Sequence, residues 1–309
     1  MKTKAFIYII VAGILWGTSG IFVHLLSPYG FSTFQMTAVR GLISFIGMLV
    51  YAYLSDKALF RCKAKDFIFF IPIGATLFGT AALYYASMTM TSVSTAVVLM
   101  YMAPVYVMIF SVLFLGESFS SLKAVSVAAM LIGCCLVSGI IGGITFNFIG
   151  ILLGVLAGFS YATYNVVTKI ALKNNINTVT ATLYSFMIMA IIALSVSKPH
   201  MIVVKAAENP LATIPLLIGL GVVTFVIPYF LYTLAMRDLP AGTAAALGIV
   251  EPMAATVFSI MFLGEKLSWL PALGIILILL AVFALGKAEG NDDNNKESEQ
   301  TKEKEHELH

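Results

Sequence analysis

The stretch from Gly248 to Ser268 reads GIVEPMAATVFSIMFLGEKLS, and Glu251 is its only charge before the closing Gly-Glu-Lys. Met100 to Ser120, MYMAPVYVMIFSVLFLGESFS, repeats it almost position for position. Pro104 answers Pro252, Phe110-Ser111 answers Phe258-Ser259, and Phe114-Leu-Gly-Glu117 answers Phe262-Leu-Gly-Glu265. Opposite Glu251 the earlier copy has Ala103. The copies lie 148 residues apart, an offset that also pairs Tyr84 with Tyr232 and Met88 with Met236. A slightly smaller offset, 145, pairs Ala12-Gly13 with Ala157-Gly158, Trp16 with Tyr161 and Thr18 with Thr163. The chain is an internal duplication whose halves differ by a charge.

Composition sets the environment. Hydrophobic residues make up 60% of the 309 and charged residues 11%, against about 45–50% and about 25% in soluble domains. Ten apolar stretches are long enough to cross a bilayer, which takes about 20 residues. They are 5–26, 33–54, 67–88, 94–115, 121–141, 148–169, 178–197, 212–235, 242–263 and 268–286. Backbone in hydrocarbon must bond to itself, so these stretches are helices. The opening Met1-Lys-Thr-Lys and its apolar run could mimic a signal peptide, but the run reaches Leu26 and has no small-residue cleavage site, so it reads as the first span. Cys62, Cys134 and Cys135 suggest no disulfide framework. The fold class expected is all-α: a polytopic membrane protein of ten transmembrane helices.

The duplication then fixes the plan. Each half holds five spans, an odd number, so the second copy enters the membrane inverted. Residues 1–141 form one repeat, 142–286 the inverted second, and the polar stretch 287–309 a disordered charged tail. His306 and His309 fall in that tail, and no metal site or cofactor is expected. Of the 18 Lys and Arg, all but Lys198, Lys205, Lys266 and the intramembrane Arg40 fall on the side of the termini. The positive-inside rule puts both termini in the cytoplasm. The net charge of +3 therefore reflects topology and not nucleic-acid binding. Inverted repeats meeting near the midplane are a recurrent plan of secondary transporters.

These residues resemble a known family. The doubled P-x(9)-FLGE pattern, at Pro104–Glu117 and Pro252–Glu265, and the ILWGTSGIF opening at Ile14–Phe22 are similar to the EamA-type branch of the drug/metabolite transporter superfamily. The likeness spans about residues 5–286. It implies a ten-helix carrier in the cytoplasmic membrane with a central cavity, exporting amino acids, other metabolites or drugs on proton or substrate gradients. The sequence has no P-loop.

Candidate site residues follow from the cost of polarity in lipid. A charge at the centre of a span costs about 2.5–3.5 kcal/mol. Glu251 is therefore a candidate proton-titrating group or partner for a cationic substrate, with structural pairing to Arg40 as the alternative. Pro252 beside it removes a backbone donor. Arg40 is the only cation deep in a span; it could clamp a substrate carboxylate or hold the bundle together. Trp16 and Thr18, Tyr84 and Tyr85, Tyr101, Tyr161 and Asn165, and Tyr229 and Tyr232 bring aromatic faces and polar atoms into spans expected around the cavity. Gly13 and Gly17, and Gly150, Gly154 and Gly158, make small-xxx-small packing faces. Glu117 and Glu265 end their spans and read as fixing helix ends.

The leading function is a secondary transporter of small organic metabolites working by alternating access, an exporter with proton coupling through Glu251. Its partners are a small-molecule substrate, protons and the lipid bilayer. The alternatives are an uncoupled facilitator or exchanger, or a membrane sensor or scaffold. An enzyme is not expected, because the spans hold no paired carboxylates, no H-E-x-x-H and no G-x-S-x-G.

Overall fold

A computed structural model describes residues 2–117, 120–139, 147–264 and 268–307, with side chains omitted for Leu263 and beyond Glu289. Glu265, Lys266 and His309 lie outside the described residues. Among the described residues ten helices are long and apolar enough to cross a membrane: Lys2–Tyr29, Thr33–Ser55, Ala64–Met90, Val93–Leu115, Ser121–Ser138, Phe148–Lys173, Thr178–Val196, Pro210–Asp238, Ala241–Phe262 and Trp269–Glu289. The described residues include no strand. Small polar residues set where spans begin. Ser32, Ser92, Ser120, Asn147 and Asn177 each accept a bond from a first-turn amide of the second, fourth, fifth, sixth and seventh spans, supplying partners for donors no helix can satisfy by itself.

The helices pair as an inverted duplication requires. The third span packs on the sixth and the first on the eighth; the second packs on the seventh, and the fifth on the tenth. The first span of each half also packs against the fourth span of the other half. Backbone approach at these crossings is close: a side-chain carbon at Gly17 would lie 2.8 Å from Ala254 Cβ, and one at Gly158 would lie 2.9 Å from the Leu99 carbonyl. The expected small-residue faces are therefore real contacts, one in each half.

The FLGE ending has a backbone explanation. Gly116 and Gly264 both stand at positive φ, 64° and 71°, and end the fourth and ninth spans in the left-handed conformation that glycine adopts without strain. In the described copy the chain then turns so that Glu117 reaches another helix. Its carboxylate accepts bonds from the amides of Ala241 at 2.8 Å and Gly242 at 3.4 Å, at the start of the ninth span.

Two expectations need correction. The tail does not leave the bundle at Lys287: Ala288 and Glu289 are each only 2% exposed, and the backbone stays helical to Glu307. Burial of Glu289 is made possible by Lys123 Nζ at 2.7 Å and a bond from Thr243 Oγ1. Lys123 and Lys169, counted above among the charges on the side of the termini, are themselves buried, at 3% and 8% exposure. Lys169 donates to the carbonyls of Met236 and Leu239 at 2.6 and 2.7 Å, closing the end of the eighth span.

Candidate functional site

Matched interruptions mark the site. The fourth span breaks at Tyr101-Met102, between helices Val93–Met100 and Ala103–Phe110. The ninth breaks at Gly248-Ile249, between Ala241–Leu247 and Val250–Leu263. The 148-residue offset pairs Tyr101 with Ile249, so the two breaks fall within one residue of each other, and Pro104 and Pro252 sit in the first turn after each break, where a missing amide costs least. Interrupted spans at corresponding positions of two inverted halves are where such proteins expose backbone and bind ligands. Glu251 opens the second half of the ninth span, so the charge absent from the first repeat stands at this junction.

Its surroundings come from both halves. The Tyr101 side chain, at the other break, lies beside the Glu251 carboxylate. The first span crosses at the same level: a side-chain carbon at Gly13 would lie 3.4 Å from the Glu251 amide. Arg40, on the second span, lies in the electrostatic field of Glu251 and Tyr229. The two charges nevertheless form no ion pair within 4 Å, and Arg40 Nε is buried without an acceptor. Structural pairing of Glu251 with Arg40 is thus not what the structure contains.

Beside these charges is an aromatic cluster. The Trp16 ring centroid is 4.9 Å from Tyr229 and 5.3 Å from Tyr232. Tyr164 joins them, 5.7 Å from Tyr229, and Tyr161 stacks on Tyr164 at 5.9 Å. The Tyr232 hydroxyl donates to Asn165 Oδ1, while Asn165 Nδ2 donates to the Tyr161 carbonyl at 2.7 Å. Asn165 thus ties the Tyr232 ring to the backbone of the sixth span. Trp16 Nε1, in contrast, is a buried donor without a partner. A void of about 10 Å³ bounded by Tyr164, Thr168, Ser185 and Phe186 adjoins the cluster, room for one water.

The remaining candidates separate. Tyr84 stands in the field of Glu251 and Cys134, so it belongs to the same region. Tyr85, one residue on, turns away and meets Phe34 edge-on at 5.8 Å. Thr18 donates its hydroxyl to the Leu15 carbonyl at 2.6 Å; its contribution is a break in the first span between Gly17 and Ser19. Phe225 and Phe186 were not anticipated: Phe225 lies 4.3 Å from Tyr229, and Phe186 5.6 Å from Phe225. Phenylalanine in an apolar span carries no signal that could have singled them out.

Equivalent segments of the halves differ in cover. Every residue from Ala241 to Val250 is buried, whereas Val93 to Met102 is mostly partly exposed. Tyr232 and Met236 are fully buried; their counterparts Tyr84 and Met88 are not. Among the described residues no group of His, Cys, Asp and Glu could hold a metal ion.

The chain matches the EamA-like transporter family twice, over residues 3–139 and 148–286. It belongs to that family. This EamA-like chain is 28% identical over 278 residues to an uncharacterized transporter of Archaeoglobus fulgidus, covering 89% of this chain and 93% of the relative. It is 24% identical over 283 residues to the uncharacterized transporter YwfM of Bacillus subtilis, covering 91% and 93%. A solved crystal structure at 16% identity matches with a TM-score of 0.74 over 92% of this chain and 96% of the other, a likeness of fold. The family match covers both five-span repeats, including both P-x(9)-FLGE copies.

Proposed function

We propose that this EamA-like transporter is a secondary carrier for small organic molecules that bear a cationic group together with a carboxylate or other acceptor. The observation that carries this reading is the separation of Glu251 and Arg40: opposite charges in one buried region, sharing a field but not a bond. Direct pairing would be the cheap arrangement for charges in low dielectric. A ligand with both kinds of group satisfies them instead, its cation at Glu251 and its acceptor at Arg40 Nε and Trp16 Nε1. A buried donor left unmade costs about 1–3 kcal/mol, so a ligand that supplies the acceptor recovers it. The aromatic cluster offers flat apolar faces to the rest of the molecule.

Alternating access accounts for the unequal cover of the halves. On this reading the ninth span's first half is sealed beneath Glu117 while the equivalent part of the fourth span is uncovered, and a second state exchanges their roles. The charge distribution favours termini in the cytoplasm, placing the sealed side inside the cell and the uncovered side outside. Export follows from the family resemblance, and Glu251 is the group that carries a proton when the substrate leaves. Nothing in the site calls for a catalytic role.

The test is ligand-dependent thermal stability of the purified protein across amino acids, amines, nucleosides and cationic drugs, with Glu251→Gln and Arg40→Gln alongside. A ligand at 100 times its Kd adds about 2.7 kcal/mol. Zwitterions should protect the wild type, and each variant should lose that protection. A protecting ligand indifferent to both variants would overturn the assignment.

A further inference from the structure

A second polar site lies at the face that carries the N-terminus, away from the aromatic cluster. A cleft of about 320 Å³ opens where the sixth span ends, the seventh begins and the eighth ends. It is lined by Lys169, Lys173, Asn175, Asn177, Thr178 and Arg237, among others. This volume is at the small end of ligand sites. Three cations face it, and their donors are not used up. Lys169 Nζ spends two of its three N–H bonds on the Met236 and Leu239 carbonyls, and Lys173 Nζ spends one on the Leu115 carbonyl at 2.8 Å. Asp238 and Glu117 are the acids in the field of Lys169; Glu117 already caps the ninth span.

Two further features orient the cleft toward an anion. The seventh span, 19 residues long, starts here, so its amide end adds positive potential. Thr178, its first residue, is 4% exposed, lines the cleft, and has a hydroxyl with no hydrogen-bond partner. Asn177 uses Oδ1 on the Val179 amide at 2.8 Å, leaving its NH₂ as a donor. A cleft lined by three cations and further donors matches the tetrahedral, many-acceptor surface of a phosphoryl group.

We propose that this cleft binds a phosphoryl anion, from a phospholipid headgroup or from soluble phosphate, which ties the ends of the sixth and eighth spans to the start of the seventh. The site makes no contact with Glu251 or the aromatic cluster, so it would act on the closure of this face and not on the transported molecule.

The full chain would be placed in phosphatidylcholine nanodiscs with and without phosphatidylglycerol. Thermal stability would then be followed against inorganic phosphate at constant ionic strength. A saturable rise in Tm with phosphate assigns a soluble source; a rise with phosphatidylglycerol alone assigns the headgroup. Lys173→Gln/Arg237→Gln should raise the half-saturating concentration by about tenfold or more, the scale of hydrogen bonds to charged groups. Lys173→Gln alone, at an exposed position of the cleft, should raise it several-fold, and carries the test if the double variant does not fold. Lys63→Gln/Lys65→Gln, removing two exposed cations elsewhere, should change nothing. Protection by neither probe, or equal loss in the cleft and control variants, would overturn the proposal.

Discussion

Lys123 Nζ lies 2.7 Å from Glu289 Oε1, with both side chains less than 5% exposed. The fifth span thereby grips the tenth where both reach the face of the N-terminus, and Lys2 Nζ stands 3.9 Å from the same carboxylate. The Thr243 hydroxyl adds a bond from the ninth span. Three other spans converge on one buried acid of the tenth.

Removing one partner of a buried ion pair strands the other, at a cost of about 3–5 kcal/mol. Glu289→Gln should destabilise the purified protein on that scale. A chain ended after Gly286 should lose as much, whereas one ended after Glu289 should unfold like the full chain. Thermal denaturation of the three proteins distinguishes this from a dispensable tail; equal Tm values would refute the role given to Glu289.

Glu117 offers a second, smaller test. As a carboxylate cap on the Ala241 and Gly242 amides it should contribute about 0.5–2 kcal/mol. Glu117→Ala should speed hydrogen exchange of residues 241–247 and leave the second half of the ninth span, 250–263, unchanged.

The Tyr232–Asn165 bond predicts an order among variants. Tyr232→Phe removes the donor to Asn165 Oδ1, leaving a buried polar atom unsatisfied at about 1–3 kcal/mol. Tyr161→Phe leaves that bond and the Asn165 bond to the Tyr161 carbonyl in place and should cost less. Denaturant unfolding in mixed micelles reads both; a larger loss at Tyr161 would contradict the bonding pattern.

For transport, Glu251→Gln keeps size and shape but cannot release a proton at physiological pH. In proteoliposomes, accumulation driven by a pH gradient should vanish while exchange of labelled for unlabelled substrate continues more weakly. Undiminished pH-driven accumulation would place the coupling elsewhere, and loss of both activities together would reduce Glu251 to a binding group.

Much of this was legible in the sequence. The 148-residue offset showed the duplication and paired Pro104 with Pro252, and the lone Glu251 drew attention by its cost; the breaks just before those prolines became visible only in the structure. Adjacent residues defeated the same reasoning. Tyr84 and Tyr85 look alike in a string, yet neighbours on a helix point about 100° apart, so one faces Glu251 and the other Phe34. Lysines at span ends proved harder still. Charge counting assigns Lys123 and Lys169 to one side of the membrane, but whether a long side chain reaches water or a neighbouring carbonyl depends on which helix lies beside it. Only the packing of the fifth on the tenth span and the sixth on the eighth decides that. Glu289 was missed for the same reason, hidden in a stretch whose composition resembles solvated tail.

Ala103 opposite Glu251 has a consequence for the cycle as a whole. A carrier with identical halves would have two end states related by rotation, equal in energy, and would rest facing either side with equal frequency. Here one half brings an acid to the junction and the other brings a methyl group. The rotation is then a relation of shape but not of energy, and the unliganded protein has a preferred orientation to which each turnover must return.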